Sequence, residues 1–208
     1  MRQIIATLKS VSPYSQSRFH NIPRLEKESH DDHEKRTWME RLHINDDGFV
    51  FIPAMAFKNC LSECAKYLSI QIPGKSKQKY TKHFEAGVLV TEHLVLPVTK
   101  EDIIKYTPAA PGLTVDTPTD GGKFKGKGEW FYVPSRGIRG GSSRVWKCFP
   151  MVPTWEGDVI FYVLDDTITE KVFRYHLEQA GKFIGIGRFR PRKNGFYGRF
   201  EVVDLVVE

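Results

Sequence analysis

Two amphipathic helical segments, each set between strand-like segments, limit the folds that this chain can adopt. The first begins at Pro53, a residue tolerated in the first turn of a helix, and is predicted to end near Ser69. Its apolar residues recur at three- and four-residue spacing, which gives one apolar face: Met55, Phe57, Leu61, Cys64, Ala65 and Leu68. The second follows residues 167–170 (TITE), a pattern typical of a capping box, and Gly181 is suited to end it.

Segments with strand character surround both helices. They are residues 2–11, 49–52, 88–98, 129–133, 144–149, 158–164 and 199–207. Without insertions the order is strand, helix, two or more strands, helix, strand. This order predicts an α+β fold with a ferredoxin-like (RRM-like) antiparallel sheet and two helices on one face. A right-handed crossover predicts that the first and last long strands lie near the middle of the sheet.

The chain is predicted to form a single domain over residues 1–208, a length ordinary for one domain. Residues 12–47 are polar and predict a long irregular loop, in which Trp38 and Leu42 could anchor one turn. Residues 99–128 are rich in proline, threonine, glycine and lysine and predict a flexible insertion.

Composition excludes several classes of protein. The mean hydropathy is -0.38, and the absence of any run of about 18 apolar residues argues against a membrane protein. Residues 1–10 lack the pattern of a signal peptide. Three cysteines, Cys60, Cys64 and Cys148, cannot form a disulfide framework or complete a zinc site at these spacings. We therefore expect a cytoplasmic protein without a metal ion or other cofactor.

Basic charge is concentrated in a glycine-rich segment near the end of the chain. The net charge is +6, and residues 181–200 contain six basic residues and no acidic one. Glycines allow successive N–H groups to face phosphate oxygens, arginines bind phosphates and aromatic rings stack on bases. The residues predicted to contact nucleic acid here are Arg188, Phe189, Arg190, Arg192, Lys193, Tyr197 and Arg199. The alternative interpretation of this segment is a packed turn whose arginines are only solvated.

Two further loops are candidates for the same contact. Lys75 and Lys77 belong to a lysine-rich loop after the first helix, and Arg136 and Arg139 belong to a glycine-rich hairpin tip. Either loop could instead be a solvated surface. All three loops on one face would strengthen the prediction of nucleic-acid binding.

Residues 51–61 (FIPAMAFKNCL) and 185–199 (GIGRFRPRKNGFYGR) also carry a family resemblance. The first is similar to the strand-to-helix step of the RAMP superfamily of CRISPR proteins, in particular its Cas7 and Cas5 subunits, and the second resembles that family's glycine-rich loop. The resemblance implies a basic contact residue at Lys58, binding of RNA rather than DNA, and head-to-tail self-association or a CRISPR-type complex. The chain also looks like a solitary phage-encoded member.

We therefore expect sequence-tolerant binding of single-stranded nucleic acid without catalysis, and two alternatives stay open. One is a metal-independent endoribonuclease, for which His20 and Asp31 or Asp32 are the candidate acid–base residues. The other is an interaction protein that mimics or inhibits a CRISPR or host complex, using the acidic residues 26–47. The histidines and acids of residues 30–34 could be read as metal ligands, but a solvated stretch explains them better.

Overall fold

The computed structural model describes residues 1–105, 107, 127–134 and 144–208. Its strands are β1 (Arg2–Ser10), β2 (Tyr14–Ser15), β3 (Phe49–Ile52), β4 (Val88–Leu89), β5 (Leu94–Thr99), β6 (Lys127–Pro134), β7 (Arg144–Val152), β8 (Glu156–Val163) and β9 (Phe200–Val207). Its helices are α1 (His30–Thr37), α2 (Ala54–Leu68), α3 (Thr81–Gly87), α4 (Lys100–Lys105) and α5 (Glu170–Gln179). Short 3-10 turns cover Trp38–Arg41 and Pro191–Lys193, and a π-helical turn covers Ala180–Ile184.

Backbone contacts divide the chain into two compact units. The first comprises Met1–Tyr14, Phe51–Leu96 and Thr154–Glu208. The second comprises Ser15–Val50 and Pro97–Pro153. The prediction of one domain over residues 1–208 stays a prediction.

The first unit contains a four-stranded antiparallel sheet in the order β4, β8, β1, β9. α2 lies in the chain between β1 and β4, and α5 lies between β8 and β9. This is the strand, helix, strand, strand, helix, strand order of a ferredoxin-like fold, so the predicted α+β fold class is confirmed.

One face of this sheet is apolar because buried residues alternate along its central strands. Ile4, Ala6 and Leu8 of β1 are fully buried, as are the alternate residues of β8 around Phe161. Both helices cover this face. The ring of Phe173 in α5 lies 5.1 Å from that of Phe161, and Leu61 of α2 belongs to the same core.

The last strand does not lie in the middle of the sheet as predicted. β1 and β8 are central, whereas β9 lies at the edge beside β1. Each helical crossover passes over one strand position, so β8 inserts between β1 and β4, and β1 inserts between β8 and β9. The interleaving leaves β4 and β9, the strands into which the two crossovers lead, at the two edges of the sheet.

The end of the second helix also differs from its prediction. Gly181 does not end it, because α5 continues into the π-helical turn and the chain leaves the helical conformation at Gly185, where φ is +69°. Gly181 instead permits close packing: a Cβ there would lie 2.0 Å from the carbonyl oxygen of Phe200. Its small size brings the end of α5 against the start of β9.

The second unit contains a helix in the stretch predicted to be an irregular loop. α1 begins after Ser29, whose hydroxyl accepts a hydrogen bond from the Asp32 N–H at 3.1 Å. Its sequence is almost entirely polar, so no apolar periodicity revealed it. The predicted insertion, residues 99–128, begins with Thr99, the last residue of β5, and continues into α4. Residues 106 and 108–126 lie outside the described chain.

A buried ion pair attaches α1 to β7. The guanidinium of Arg41 donates two hydrogen bonds to the carboxylate of Glu34, one of them at 3.0 Å, and a third to the Cys148 carbonyl at 3.1 Å. Glu34 also accepts from the Cys148 N–H at 2.9 Å. Every charge is therefore matched, which a buried pair needs in order to offset its loss of water.

We expect Glu34→Gln to lower the free energy of unfolding by about 3 to 5 kcal/mol, because it leaves the buried Arg41 guanidinium without a countercharge. Chemical denaturation measures this. Glu40→Gln, an exposed neighbour, is the control and should change stability by no more than about 0.5 kcal/mol. Equal effects of the two substitutions would contradict the structural role of the pair.

Candidate nucleic-acid interface

Hydrogen bonds within the protein use much of the backbone of the glycine-rich loop, residues 185–199. The Ile186 N–H donates to the Gly198 carbonyl at 2.9 Å, and the Tyr197 N–H donates to the Phe189 carbonyl at 3.0 Å. The Gly198 N–H donates to the Pro13 carbonyl at 2.8 Å. These donors are unavailable to a phosphate, so the prediction that the loop's successive N–H groups face a phosphate is wrong for them.

The glycines of this loop allow its two sides to approach closely. A Cβ at Gly195 would lie 1.7 Å from the Phe189 carbonyl oxygen, and a Cβ at Gly198 would lie 1.8 Å from that of Ile186. Gly198 also has φ of +75°, which L side chains rarely adopt. The loop is therefore a compact support for its side chains.

Two of the predicted arginines share one carboxylate of α2, which offsets one of their two charges. The Nη2 atom of Arg190 lies 2.8 Å from Oε2 of Glu63, and Nε of Arg192 lies 3.5 Å from Oε1 of the same carboxylate. Residues 181–200 contain no acidic residue, so the countercharge for this pair comes from another part of the chain. Glu63 is 127 residues from Arg190 in the chain, so its approach was not visible in the sequence.

Lys58, the contact residue implied by the family resemblance, is engaged within the protein. Its ammonium donates to the Ser62 hydroxyl at 2.7 Å and to the carbonyls of Phe84 and Glu85 at 2.8 and 2.9 Å. Burial lowers its pKa. An ammonium has three donors, all used here, so Lys58 ties α2 to α3 and leaves no hydrogen for a phosphate.

Of the remaining loop candidates, Lys75 and Lys77 belong to the described residues. Lys75 and Lys77 are exposed in the turn that follows α2, and Lys77 has φ of +62°. Neighbouring Lys79 donates to the Ser69 hydroxyl at 2.7 Å, which anchors the turn to the end of the helix. Arg136 and Arg139 lie outside the described residues.

Exposed aromatic rings and cations occur together in the loop, in the π-helical turn before it and at the end of α2. Four rings, Tyr67, Phe183, Phe189 and Phe196, are between 43% and 61% exposed. We call the basic–aromatic surface the set formed by these rings and five cations, Lys182, Arg188, Arg192, Lys193 and Arg199. Exposed aromatic residues at this density are typical of a binding surface.

Direct contacts connect several members of the basic–aromatic surface. The Tyr67 ring lies 5.9 Å from that of Phe183 and 5.6 Å from Cζ of Arg192. Arg199 donates to the Lys182 carbonyl at 3.4 Å and to the Phe196 carbonyl at 3.2 Å.

The surface also contains a cation–π pair formed by neighbouring residues of the loop. Cζ of Arg188 lies 3.7 Å from the centre of the Phe189 ring. Tyr197, a predicted contact, is half-buried, and the centre of its ring lies 5.9 Å from that of Phe196.

Sequence reasoning missed Tyr67 and Phe183 as parts of this surface. Tyr67 lies in the last turn of α2 but off its apolar stripe, which is the signal that could have identified it. Phe183 follows Lys182 in the π-helical turn, an element that sequence periodicity did not predict.

The helix-free face of the sheet has the opposite character. Near the C-terminal end of β1, Thr7 lies opposite Asp158 and Asp204, and Lys9 lies opposite Glu156 and Glu201. All four carboxylates are exposed and only one lysine accompanies them. Such a face repels a polyanion, so the sheet surface on which an RRM-like fold could stack bases is unsuitable here.

The acid–base candidates of the sequence do not form a site. His20 is half-buried, and burial, followed by the nearby Arg41 charge, lowers its pKa. Asp32 is engaged by hydrogen bonds from Ser29 and then Lys35, which lower its pKa. In the described part of the chain, no three His, Cys, Asp or Glu side chains are grouped as metal ligands would be.

A histidine–aspartate pair that the sequence did not suggest lies in the first unit. Nδ1 of His83 is 2.6 Å from Oδ2 of Asp165, whose other oxygen accepts from the Thr167 N–H at 2.8 Å. Burial opposes ionisation of Asp165, but these hydrogen bonds outweigh it and lower its pKa. The absence of a side chain at Gly87 makes room for Asp165, since a Cβ at Gly87 would lie 2.6 Å from the Cβ of Asp165.

We expect Gly198→Ala to destabilise the protein by about 2 to 4 kcal/mol, because it combines a positive φ with a backbone clash. Gly74→Ala is the matched control: it has the same φ of +75° but open space around it, and it should cost about 1 kcal/mol. Thermal unfolding of both variants measures the difference. Similar costs would show that the loop does not need this close approach.

Comparisons with known proteins add little to this geometry. No protein-family model matches the chain, and no curated protein matches it. Among solved structures it resembles Cmr6 from Pyrococcus furiosus, at 14% sequence identity over 97% of this chain and 98% of that one, with a TM-score of 0.46. A likeness at that TM-score carries no statement about this chain's function. No helix in the described residues has the length and apolar character to cross a membrane.

Proposed function

We propose that this chain binds single-stranded nucleic acid, RNA rather than DNA, through the basic–aromatic surface and without sequence preference. One observation carries the proposal: four exposed rings lie among cations, two of the rings in cation–π contact, on and beside a loop held by its own backbone hydrogen bonds. Cations neutralise phosphates, and each exposed ring offers a face to a base.

The exposed rings favour a single strand over a duplex. Bases can stack on protein rings only when they are unpaired and unstacked from each other, and stacking accepts every base because each has a π face. The choice of RNA rests on the RAMP resemblance of residues 51–61 and 185–199, as do head-to-tail self-association and a CRISPR-type complex as partners. The expected cytoplasmic location and phage origin stay predictions.

The alternative of an interaction protein that uses its acidic stretch has less support. Within residues 26–47, Glu28 pairs with Arg36, which lowers the pKa of Glu28 to about 2, and Glu34 is buried against Arg41. These two of the stretch's eight acids are therefore already paired within the protein and contribute little to a basic protein groove.

We expect a fluorescein-labelled oligouridylate to bind the purified chain with an affinity that falls steeply with salt. Tyr67→Ala and Phe183→Ala should each weaken binding by about 1 to 3 kcal/mol, the value of one base–ring stack. Lys182→Gln and Lys193→Gln should each reduce the salt slope by about 0.7. Fluorescence anisotropy measures both quantities.

Tyr175→Ala is the control for these substitutions, because Tyr175 is an equally exposed ring of α5 outside the basic–aromatic surface. It should leave the affinity unchanged. A loss as large as that of Tyr67→Ala, or an affinity independent of salt, would contradict the proposed surface.

A second candidate function, metal-independent RNA cleavage, is favoured by the His83–Asp165 pair. Asp165 fixes Nδ1 of His83, and Nε2 has no hydrogen-bond partner among the described residues. A neutral imidazole held in this way can accept a proton at Nε2, for example from a ribose 2′-hydroxyl. His20, the candidate from the sequence, lacks such a carboxylate partner in the described chain.

If the chain cleaves RNA, labelled RNA incubated with a metal chelator should yield a product ending in a 2′,3′-cyclic phosphate. His83→Ala should then slow cleavage by about 100-fold or more, and His20→Ala should leave it unchanged. Product analysis by gel electrophoresis decides this. No product, or equal cleavage by His83→Ala, would reject the second candidate and leave the binding function untouched.

A further inference from the structure

We infer that Arg190 and Arg192 form a phosphate-binding pair whose ligand position is occupied in this structure by the carboxylate of Glu63. The inference deepens the proposed function and rests on it for the identity of the strand. It makes Glu63 an internal competitor of the nucleic-acid phosphate.

The geometry of the three side chains is that of an anion held between two guanidinium groups. Nη2 of Arg190 contacts one oxygen of Glu63 at 2.8 Å, and Nε of Arg192 contacts the other at 3.5 Å. Pro191 separates the two arginines at the start of a 3-10 turn, which directs both toward α2. A carboxylate and a phosphate present similar pairs of oxygens to a guanidinium, so either can be bound there.

The carboxylate of Glu63 leaves one hydrogen-bond donor of the arginine pair without a partner. Nε of Arg190 is buried and has no hydrogen-bond partner among the residues that the structure describes. Both oxygens of Glu63 are engaged by Arg190 Nη2 and Arg192 Nε, and the carboxylate is tethered to α2, whereas the two non-bridging oxygens of a strand phosphate carry no such tether. A phosphate would therefore use a donor that Glu63 leaves unsatisfied, and an unsatisfied buried donor is costly.

The site is open enough for exchange of one anion for another. The Arg192 side chain is 47% exposed and its contact with Glu63 is long, so this side of the ion pair is the weaker one. The Glu63 side chain is 27% exposed and can turn from the helix surface toward solvent.

The position of the pair fits a strand on the basic–aromatic surface. Cζ of Arg192 lies 5.6 Å from the centre of the Tyr67 ring. A base stacked on Tyr67 would therefore have its phosphate within reach of the arginine pair. The wild-type protein must displace Glu63 to make this contact, which lowers its affinity and its salt dependence.

Glu63→Gln tests the inference, because it removes the competing charge and keeps the size of the side chain. We expect oligouridylate to bind about three- to tenfold more tightly and the salt slope to increase by about 0.7 to 1.4, the contribution of one or two phosphate contacts. Glu85→Gln is the matched control: Glu85 pairs with Lys66 at 2.5 Å, so it loses an equal charge away from the arginine pair. Equal affinities of the two variants would overturn the inference.

Inorganic pyrophosphate separates this inference from the proposed function. We expect it to raise the melting temperature of Glu63→Gln more than that of Glu85→Gln. If no variant binds oligouridylate but this difference is present, the phosphate pair stands and the proposed function fails. If oligouridylate binds but neither probe distinguishes the two variants, the phosphate pair fails and the proposed function stands.

Arg192→Gln provides a second test that does not depend on the folding of Glu63→Gln. It removes one arm of the pair, and it should weaken oligouridylate binding more than Lys66→Gln, which removes an equal charge from the exposed surface of α2. Equal binding by these two variants would contradict the inference.

Discussion

The pairing of β1 with both β8 and β9 is the constraint on which the first unit depends. These partners lie more than 140 residues away in the chain, yet they pair with β1 along almost its whole length. The interleaved sheet brings both helices to one face and places the end of α5 against β9. The loop that connects them, residues 185–199, is thereby fixed against α2, where its side chains meet Glu63 and Tyr67.

Much of this fold could be predicted because its elements carry periodic apolar patterns. α2 extends from Ala54 to Leu68, within a residue of its predicted limits, and most strands lie where alternation indicated. α1 was missed because it is stabilised by a buried ion pair between Glu34 and Arg41, which leaves no apolar stripe to detect. The edge position of β9 depends on how two crossovers interleave, and no local pattern contains that information.

The candidate site was predictable as a segment but not as an arrangement. The glycines and arginines of residues 185–199 identified the loop, but the roles assigned to them changed. Gly195 and Gly198 serve close packing, and Arg190 and Arg192 meet a carboxylate that a distant helix supplies. The exposed position of the Phe183 ring depends on a π-helical turn, and no periodic pattern in the sequence predicts that turn.

The acidic helix-free face has a consequence for how this protein would meet a long polyanion. In the first unit the carboxylates of Glu156, Asp158, Glu201 and Asp204 lie on one side of the sheet, and the cations beside α2 lie on the other. Such a separation of charge gives the unit an electric dipole, so that an approaching strand exerts a torque on it before contact. The unit would therefore be oriented before it collides with a strand. Once a strand is bound, the carboxylates of the helix-free face would repel a second strand.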